Sequence, residues 1–401
     1  MKILLIHNSY RHHGGEDTYV QNQIHLLKQH GHQVKLFTVS NQSINPRSLP
    51  QQLKIALRMF HHPNLDHQLT PLINSFKPDL AHLHNIYPLI TPSIYHLLKK
   101  RHLPIVQTIH NYRFMFPKPI LFRRGPLCPY CLSSNLIQPA IFHRCYNQSL
   151  PYTIAFSLSY LAHKHISKSY QLVNAFVFPS KFTQNFYAKY AHLSPQKTIH
   201  IPNFTFPPTQ KSPKNKGHFT YLGRLFPEKG IKLLLKAIIP LTHLKFLIVG
   251  QGPLENLIKS TANHYPHITY HPFIPPSKIH TIYSQSLFTI LPSTWYEVQP
   301  MTIIESFAHH TPVIAPAIGP LTQMVNPSKN GFLYHPNTPE KLRQAILSAA
   351  SLSKQKYNLL SQNSHHTYQA NYTPSIHYRS LISLYRKLVG TGSSPSPKYT
   401  S

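Results

Sequence analysis

Short apolar runs alternate with amphipathic segments along the first half of the chain. The runs that predict buried strands are residues 2–8, 33–39, 80–85, 104–110 and 172–180. Between them lie a segment with Val20, Ile24 and Leu27 at helical spacing and a second helical segment near residues 92–101. This alternation predicts parallel strands joined by crossover helices. Residues 40–70 have a weak pattern that predicts no element.

A second alternating series begins at residue 218. Its predicted strands are residues 218–225, 244–250, 267–273, 287–293 and 311–316, and its predicted helices lie near 229–239, 254–263, 301–310 and 339–350. Thr338 and Pro339 are typical of a helix start, because a hydroxyl can cap the first turn and proline suits the first helical position. A last helix is predicted near residues 374–388, with Leu381, Leu384 and Leu388 on one face.

The two series predict an α/β fold class with two doubly wound, Rossmann-like domains facing a cleft. The predicted bounds are 1–202 for an N-terminal domain, 203–217 for a linker, 218–373 for a C-terminal domain, 374–389 for a terminal helix that packs back on the N-terminal domain, and 390–401 for a disordered tail. The linker is rich in Pro and Lys and has no periodicity. Because open parallel sheets bind ligands beyond the carboxyl ends of their strands, we expect functional residues there.

Positive charge is spread along the whole chain. The 40 Lys and Arg residues outnumber nine Asp and Glu residues and give a formal net charge of +31. This balance favours attraction to anions such as nucleotide phosphates, acidic glycans, lipid headgroups or nucleic acid. A compositional bias without a dedicated partner explains it equally well. No nucleic-acid recognition motif is present, so the sequence predicts no specific nucleic-acid partner.

The cysteine count and the hydropathy pattern predict a cytoplasmic protein. Three cysteines in 401 residues favour a reducing compartment, and neither a secretory signal nor an apolar run of about 18 residues is visible. Residues 150–162 are uncharged and are followed by Lys164 and Lys168. This segment predicts either a buried helix or a helix lying on the inner face of a membrane, where Phe156, Leu158 and Leu161 would contact lipid.

Two of the nine carboxylates, Glu297 and Glu305, are eight residues apart. Pro300 between them predicts a turn and then a helix that begins near Met301. Glu297 would then lie on the loop before the helix, and Glu305 in its second turn. A helix start can hold an anionic ligand through its free N–H groups.

Other candidate residues also follow predicted strands. Arg224 and Lys229 are five residues apart between a strand and a helix, a spacing that suits a diphosphate. The turn from Gly250 to Gly252 is weaker evidence for phosphate binding. In the first half, the pair Gly14-Gly15 and the imidazole of His110 follow strands in the same way.

A cysteine cluster predicts a structural zinc site. Cys128, Cys131, His143 and Cys145 have the spacing C-x2-C-x11-H-x-C, and four nitrogen and sulfur ligands suit tetrahedral zinc. The surrounding segment 111–149 has little helix or strand pattern, so a metal could fix it. The alternative is three unrelated thiols in a loop.

Taken together, these pieces resemble the retaining glycosyltransferases of family 4, which have the GT-B fold. The resemblance spans Met1 to about Leu388. The matching pieces are HNSYRHHGGEDTYV, PDLAHLHN, VQTIHNYR, FVFPSKF, IPN, YLGRLFPEKG, FLIVGQGP, WYEVQPMTIIESFAHHTPVIAP and NGFLY. Their order and spacing carry the resemblance, which implies an acceptor-side N-terminal domain and a C-terminal domain that binds a nucleotide sugar.

The resemblance implies a role for each matching residue in the glycine pair and the cationic loop. Gly14 and Gly15 would lie beneath the donor, where a side chain would clash. His110 would face the transferred sugar. Arg224 and Lys229 would neutralise the departing diphosphate, so that catalysis would need no metal or other cofactor.

The resemblance also implies roles around the two carboxylates. Glu297 would hold sugar hydroxyls and Glu305 the ribose hydroxyls, while the N–H groups of Met301 and Thr302 would meet the diphosphate. Glu297 could instead be a nucleophile that forms a covalent intermediate. The family favours front-face attack, in which the leaving diphosphate takes the acceptor's proton.

Two positions depart from the family pattern. Val298 stands where family members usually have glycine, which could reshape the backbone around the sugar. His309 and His310 replace a common basic-glycine pair, so the left-handed backbone conformation is harder to reach there. Neither change removes a proposed catalytic group.

The sequence thus predicts a retaining glycosyltransferase that moves a sugar from a nucleotide-sugar donor to a glycan or lipid-linked acceptor in cell-surface polysaccharide synthesis. An anionic membrane surface is a further predicted partner. The alternatives are another GT-B-type enzyme, such as a sugar-nucleotide epimerase or a phosphorylase, and a basic nucleic-acid-binding protein. The pairing of GRLFPEKG with the two glutamates argues against the first, and only charge suggests the second.

Overall fold

The computed structural model divides the chain into two compact units. It describes residues 1–10, 14–41, 55, 57–60, 63–115, 120–121, 128, 137–146, 148–191, 193–208, 217–272, 274 and 276–390. The first unit comprises Met1–Pro119, Pro129–Ile201 and Ser375–Ser401, and the second comprises Ile120–Cys128 and Pro202–Pro374. The predicted tail beyond Gly390 and residues 209–216 of the predicted linker lie outside the described residues.

The first unit is built on a six-stranded parallel sheet. Its strands are β1 (Lys2–Ser9), β2 (Gln33–Ser40), β3 (Leu80–Leu83), β4 (Ile105–Thr108), β5 (Ala175–Phe178) and β6 (Thr198–His200), in the order β2-β1-β3-β4-β5-β6. In the register of the sheet, Ile3 of β1 lies opposite Val34 of β2 and Leu80 of β3. The central strands β3, β4 and β5 are buried along their whole length, so that the polar residues His82, Gln107 and Thr108 are buried with them.

Helices cover this sheet and complete its core. They are α1 (Gly15–Gln29), α2 (Pro63–Phe76), α3 (Ile94–Lys100), α4 (Gln138–Phe142), α5 (Leu150–Leu161), which continues as a π-helical turn over Ala162–Ile166, α6 (Lys181–Ala191), and the C-terminal Pro374–Gly390. Leu381 and Tyr385 of that last helix are buried in one apolar cluster with Ile3, Leu27 and Val106. The last helix therefore belongs to the core of the first unit.

The second unit repeats the architecture with a second six-stranded parallel sheet. Its strands are β7 (His218–Leu222), β8 (Phe246–Val249), β9 (Ile268–His271), β10 (Ser286–Ile290), β11 (Val313–Pro316) and β12 (Gly331–Tyr334), in the order β12-β11-β10-β7-β8-β9. Its helices are α7 (Ile231–Ile238), α8 (Glu255–His264), α9 (Pro276–Gln285), α10 (Met301–Ala308), α11 (Leu321–Met324), α12 (Pro339–Ala350) and α13 (Lys354–Asn371). The helix Pro374–Gly390 of the first unit, which is the last in chain order, is numbered α14. Phe219, Phe246 and Phe288 from three adjacent strands pack together in the core.

The predicted fold class of two Rossmann-like α/β domains is confirmed by these sheets. Asn203, Phe204 and Thr205, at the start of the predicted linker, are buried and belong to the second unit. Phe156 is a core residue and cannot contact lipid, since its ring packs 5.0 Å from the rings of Tyr87 and Tyr146. Among the helices of the described residues, none has the length and apolar character needed to cross a membrane.

Candidate functional site

A buried carboxylate lies on the loop that follows β10 in the second unit. Glu297 is only 5% exposed. Its Oε1 atom accepts hydrogen bonds from Lys229 Nζ at 2.7 Å, Ser293 Oγ at 2.7 Å and Trp295 Nε1 at 3.1 Å. Over the part of the chain that the structure describes, Oε2 accepts no hydrogen bond. One oxygen therefore fixes the side chain, and the other is left to accept hydroxyl groups of a ligand.

Lys229 is the cation of this site. Its ammonium group lies 2.7 Å from Glu297 and 5.3 Å from the centre of the Trp295 ring. An ammonium group has three N–H donors, and Glu297 accepts one of them. Lys229 can therefore hold Glu297 and still donate to an anionic ligand.

A close approach between two loops places Lys229 beside Glu297. The backbone of Gly230 has a φ of 75°, and an added Cβ would lie 1.8 Å from the carbonyl oxygen of Pro292. The carbonyl oxygen of Glu228 also accepts hydrogen bonds from Thr294 N and Thr294 Oγ1, both at 3.0 Å. Glycine is required at position 230 because no side chain fits between the loops.

Arg224 follows β7, at the carboxyl edge of the same sheet. Its guanidinium lies 5.0 Å from the centre of the Phe226 ring, and its backbone oxygen accepts a hydrogen bond of 2.7 Å from Tyr221 Oη. The Arg224 side chain makes no ion pair with any carboxylate in the described ranges. A half-buried guanidinium without an anionic partner is suited to bind a phosphate group.

The glycine turn after β8 lies directly against the Arg224 loop. Gly250 has a φ of 151°, and an added Cβ would lie 1.9 Å from the carbonyl oxygen of Gly223. The N–H of Leu225 donates to the carbonyl oxygen of Gln251 at 2.9 Å. Gly250 is thus explained by loop packing, and a phosphate contact is not needed to account for it.

Helix α10 begins at Met301, as predicted, directly after the Glu297 loop. Its first N–H groups have no partner within the helix. The loop before it is anchored by Asn203, whose backbone N–H donates to Gln299 Oε1 at 2.6 Å and whose Nδ2 donates to the Gln299 carbonyl at 3.3 Å. Thr302 Oγ1 donates to the carbonyl oxygen of Leu222 at 3.4 Å, which brings the helix start to the end of β7.

Glu305 lies in the second turn of α10 and is held by one neighbour. The hydroxyl of Tyr283 donates to its Oε2 at 2.8 Å. Burial raises the pKa of Glu305 above its ordinary value, and the Tyr283 hydrogen bond opposes that rise. Among the residues that the structure describes, Glu297 has a cationic partner and Glu305 has none, so the two glutamates differ in charge environment although they belong to one motif.

In the first unit, His110 is half-buried and lies against buried aromatic side chains beyond the ends of β3 and β4. Its Nε2 lies 3.1 Å from His84 Nδ1, and its ring packs edge-on against Tyr19 with centroids 5.1 Å apart. Burial, together with the smaller effect of the neighbouring His7, lowers the pKa of His110 to about 3, although Asp17 opposes this shift. His110 is therefore a neutral imidazole near pH 7, with one nitrogen bound to His84.

The Gly14-Gly15 pair begins helix α1, and Asp17 fixes it. Asp17 Oδ2 accepts a hydrogen bond of 3.0 Å from the N–H of Gly14, while its Oδ1 lies 2.9 Å from His7 Nε2. An added Cβ at Gly14 would have Asp17 Oδ2, 4.0 Å away, as its nearest neighbour. Packing inside the described part of this unit therefore does not require glycine at position 14.

Glu16 is a functional candidate that sequence reasoning missed. Its Oε2 accepts a hydrogen bond of 2.8 Å from Tyr10 Oη, and its Oε1 is buried without a hydrogen-bond partner in the described residues. Burial raises its pKa to about 7, although His7 and the Tyr10 hydrogen bond oppose this. A raised pKa next to the glycine pair could have been suspected only from the two adjacent carboxylates in GGED.

Ser293, Trp295 and Tyr283 were also missed as supporting residues. They touch Glu297 or Glu305 through hydrogen bonds. The nearness of Ser293 and Trp295 to Glu297 in sequence was the available signal. Nothing in the sequence pattern connects Tyr283 with Glu305, because that contact depends on how α9 packs beside α10.

The two departures from the family pattern are accommodated by the fold. His310 adopts a φ of 56°, so the left-handed conformation is reached without glycine. Its ring stacks on His365 with centroids 3.8 Å apart, and its carbonyl oxygen accepts a hydrogen bond of 2.6 Å from Ser361 Oγ. These contacts offset the strain. Val298 is buried and does not have a positive φ.

The structure does not support the predicted zinc site. Among the residues that the structure describes, no group of three or more His, Cys, Asp or Glu side chains could hold a metal ion. Cys131 lies outside those residues.

Comparison with family models supports the class that the fold and the site suggest. The model of glycosyl transferases group 1 matches residues 203–367, and the model of glycosyltransferase family 4 matches residues 13–205. Each match covers somewhat less than half of the chain, and together they span nearly all of both units. Both models describe glycosyltransferases, and the two parallel sheets are those of the GT-B fold.

The individual curated relatives have low sequence identity with the chain. An uncharacterized glycosyltransferase of Methanocaldococcus jannaschii is 28% identical over 33% of this chain and 39% of its own length. The chain spans less than half the length of the first curated relatives it matches.

Solved structures resemble the chain over nearly its whole length. Sucrose-phosphate synthase from Thermosynechococcus elongatus superposes with a TM-score of 0.69 at 19% identity, over 98% of this chain and 100% of the other. Anabaena HepE in complex with UDP and glucose superposes with a TM-score of 0.62 at 16% identity, over 95% of this chain and 98% of the other. At such identities the likeness concerns the fold.

Proposed function

We propose that this chain is a retaining glycosyltransferase that moves a sugar from a nucleotide-sugar donor to a glycan or lipid-linked acceptor, in cell-surface polysaccharide synthesis. The observation that carries the proposal is the Lys229–Glu297 pair. Three donors fix one oxygen of this buried carboxylate. The other oxygen can accept hydrogen bonds from sugar hydroxyls. The cation beside it is suited to a departing diphosphate.

The second unit binds the donor in this proposal. Arg224 and Lys229 neutralise the diphosphate, and the N–H groups of Met301 and Thr302 add hydrogen bonds at the start of α10. Glu305 accepts hydrogen bonds from the ribose hydroxyls. The nucleotide bound in the HepE structure makes uridine diphosphate sugars the first donors to test.

The first unit contributes to the sugar and acceptor side. His110 is neutral, and its Nε2 is engaged by His84, so its Nδ1 can exchange a hydrogen bond with a sugar hydroxyl. Gly14 and Gly15 leave room for the donor, which agrees with the absence of a packing requirement for glycine at position 14.

The chemical step retains the configuration at the anomeric carbon. The bond from that carbon to the diphosphate breaks with both electrons on the diphosphate, and the acceptor oxygen bonds to the same face. In front-face attack, the acceptor's proton passes to the departing diphosphate oxygen. If Glu297 is the nucleophile instead, a glycosyl-enzyme intermediate forms first. Three hydrogen bonds to Glu297 stabilise its charge and lower its nucleophilicity, which favours front-face attack.

No metal is required for catalysis in this proposal, because Arg224 and Lys229 supply the positive charge. A cytoplasmic location and an anionic membrane partner remain part of the proposal from composition.

Product analysis with a panel of nucleotide sugars and glycan acceptors tests the function. We expect one donor to yield a new glycoside and one nucleoside diphosphate per glycosidic bond. An epimerase would convert the nucleotide sugar without forming a glycoside, and a phosphorylase would require inorganic phosphate. Either outcome would overturn the proposal.

A further inference from the structure

On helix α5 of the first unit, hydroxyl-bearing side chains are buried and apolar side chains are exposed to solvent. Its hydroxyl-bearing residues are buried, namely Tyr152, Thr153, Ser157, Ser159 and Tyr160. Leu150, Ile154 and Leu158, spaced four residues apart, are 39%, 36% and 49% exposed. The other outward positions of the helix are Pro151, Ala155 and Leu161. A helix on a water-exposed surface normally shows the opposite arrangement.

The buried side of α5 is firmly attached to the first unit. Ser159 Oγ donates to the carbonyl oxygen of Met59 at 2.6 Å, and Thr153 Oγ1 accepts a hydrogen bond of 3.0 Å from the backbone N–H of Tyr146. The Phe156 ring packs against Tyr87 and Tyr146. The helix therefore cannot rotate to bury its leucines without breaking these contacts.

The apolar surface continues at both ends of α5. Phe142, the last residue of α4, and Ile166, the last residue of the π-helical turn, are each 83% exposed. Both elements pack against α5. Single exposed apolar residues are ordinary on protein surfaces, but five on three adjoining elements form an interaction surface.

The charged side chains of the described residues 137–146 and 148–168 are all positive. Arg144 and Lys168 are exposed, and Lys164 Nζ lies 5.6 Å from the centre of the Tyr160 ring. The sequence has no Asp or Glu between Asp79 and Glu228. An identical surface on a second copy would carry the same charge and repel it, whereas an anionic lipid surface complements it.

We propose that the outward face of α5, with Phe142 and Ile166, inserts into the interface of an anionic lipid membrane. The apolar side chains enter the boundary between headgroups and acyl chains, and the flanking cations remain among the lipid phosphates. This inference deepens the proposed function by naming the membrane contact of an enzyme with a lipid-linked acceptor. The binding itself does not require transfer activity.

Vesicle sedimentation with the full chain tests the proposal. Phosphatidylcholine vesicles with phosphatidylglycerol should bind the protein, and pure phosphatidylcholine vesicles should bind it much less. Raising the salt should remove the electrostatic part and leave an apolar part, because only the exposed charges are screened. Ile154→Ser/Leu158→Ser should weaken the salt-resistant part at least about tenfold, since apolar burial is lost at both positions.

Two further variants keep the test interpretable. Leu359→Ser removes a leucine of similar exposure, 55%, from α13 in the second unit and should leave binding unchanged. Phe142→Ser/Ile166→Ser changes two residues that are 83% exposed, so it tests the same surface if the α5 variant fails to fold. Thermal unfolding verifies the fold of each variant.

Three outcomes would overturn the proposal. They are no binding of the wild-type chain to anionic vesicles, unchanged salt-resistant binding by both surface variants, and a dimer that the α5 variant dissociates while vesicle binding stays the same. The last outcome would assign the face to a second copy. Release of nucleoside diphosphate, measured without vesicles, tests the transferase function separately.

Discussion

The two units place their candidate residues in contrasting electrostatic surroundings. In the second unit, Glu297 is charged and paired, with Lys229 at 2.7 Å and two neutral donors on the same oxygen. In the first unit, His110 is kept neutral by burial, with its pKa lowered to about 3. A preformed charged pair is suited to stabilise charge that develops in a reaction, whereas a neutral imidazole is suited to orient a substrate. In the proposed mechanism, the second unit therefore stabilises most of the charge that develops in the reaction.

Removing the charge of Glu297 should have the largest effect. Glu297→Gln should lower the transfer rate by about 100-fold or more, because contacts to the sugar strengthen as positive charge develops on it. Donor affinity should change less. Steady-state kinetics and donor-binding calorimetry check this. An unchanged turnover in the folded variant would remove Glu297 from the mechanism.

Removing the Arg224 side chain should have the second largest effect on the transfer rate. Arg224→Ala should cost about 2–4 kcal/mol of transition-state stabilisation, which is the range seen when one donor to developing negative charge is lost. Lys245→Ala is a matched control, because Lys245 is an exposed cation just before the amino end of β8, at the opposite edge of the sheet. If both variants keep wild-type kcat/KM, the diphosphate lies elsewhere.

Substitution of Gly230 in the second unit and of Gly14 in the first unit should affect folding stability to different degrees. Gly230→Ala should cost at least about 2 kcal/mol of folding stability, because its φ is 75° and its Cβ would collide with the carbonyl oxygen of Pro292. Transfer should fall with it, since Lys229 would be displaced from Glu297. Thermal unfolding and transfer assays on the same preparation measure both effects.

Gly14→Ala should behave differently. The loss of stability should stay below about 1 kcal/mol, because the added methyl has room within the described part of the first unit. Transfer should still fall at least about tenfold if the donor lies against this loop. Normal activity with normal stability would show that the loop does not contact the donor.

The smallest effect concerns Glu16 and pH. Burial raises its pKa from 4.5 to about 7, so the folded chain keeps a proton that the unfolded chain releases in this interval. The contribution of Glu16 to the free energy of unfolding should therefore fall as the pH rises from 4.5 to 7 and then level off. Glu16→Gln should be more stable than the wild type above pH 7, by up to about 3 kcal/mol.

Denaturant unfolding of both proteins across this pH range isolates Glu16, because every other titrating group is common to them. A constant difference in stability at all pH values would contradict the raised pKa. Activity should be measured in parallel, since Glu16 adjoins the glycine pair.

Much of the architecture follows from the alternation of apolar and amphipathic segments. Helix α12 begins and ends where Thr338 and the apolar spacing predict. Strand β6 and helix α13 were missed for physical reasons. The first is three residues long, and the second is a mostly polar helix that buries only Leu360, Ser364 and Tyr368.

The sequence predicts those candidate site residues that lie within a short contiguous motif. Lys229 and Glu297 were both identified, but their contact depends on Gly230 meeting Pro292 across 62 residues of chain, which no local pattern reveals. The outward side of α5 was not predictable either. Its hydroxyls alternate with leucines, and only packing against Met59, Tyr87 and Tyr146 decides which side faces out.

The configuration of the first product tests the central claim most directly. Once a donor is found, proton NMR of the anomeric hydrogen of the glycoside reports its configuration, which does not change after transfer because a glycoside does not mutarotate. We predict a glycoside with the donor's configuration, formed together with one nucleoside diphosphate. A glycoside of inverted configuration would contradict a retaining mechanism built around Lys229 and Glu297.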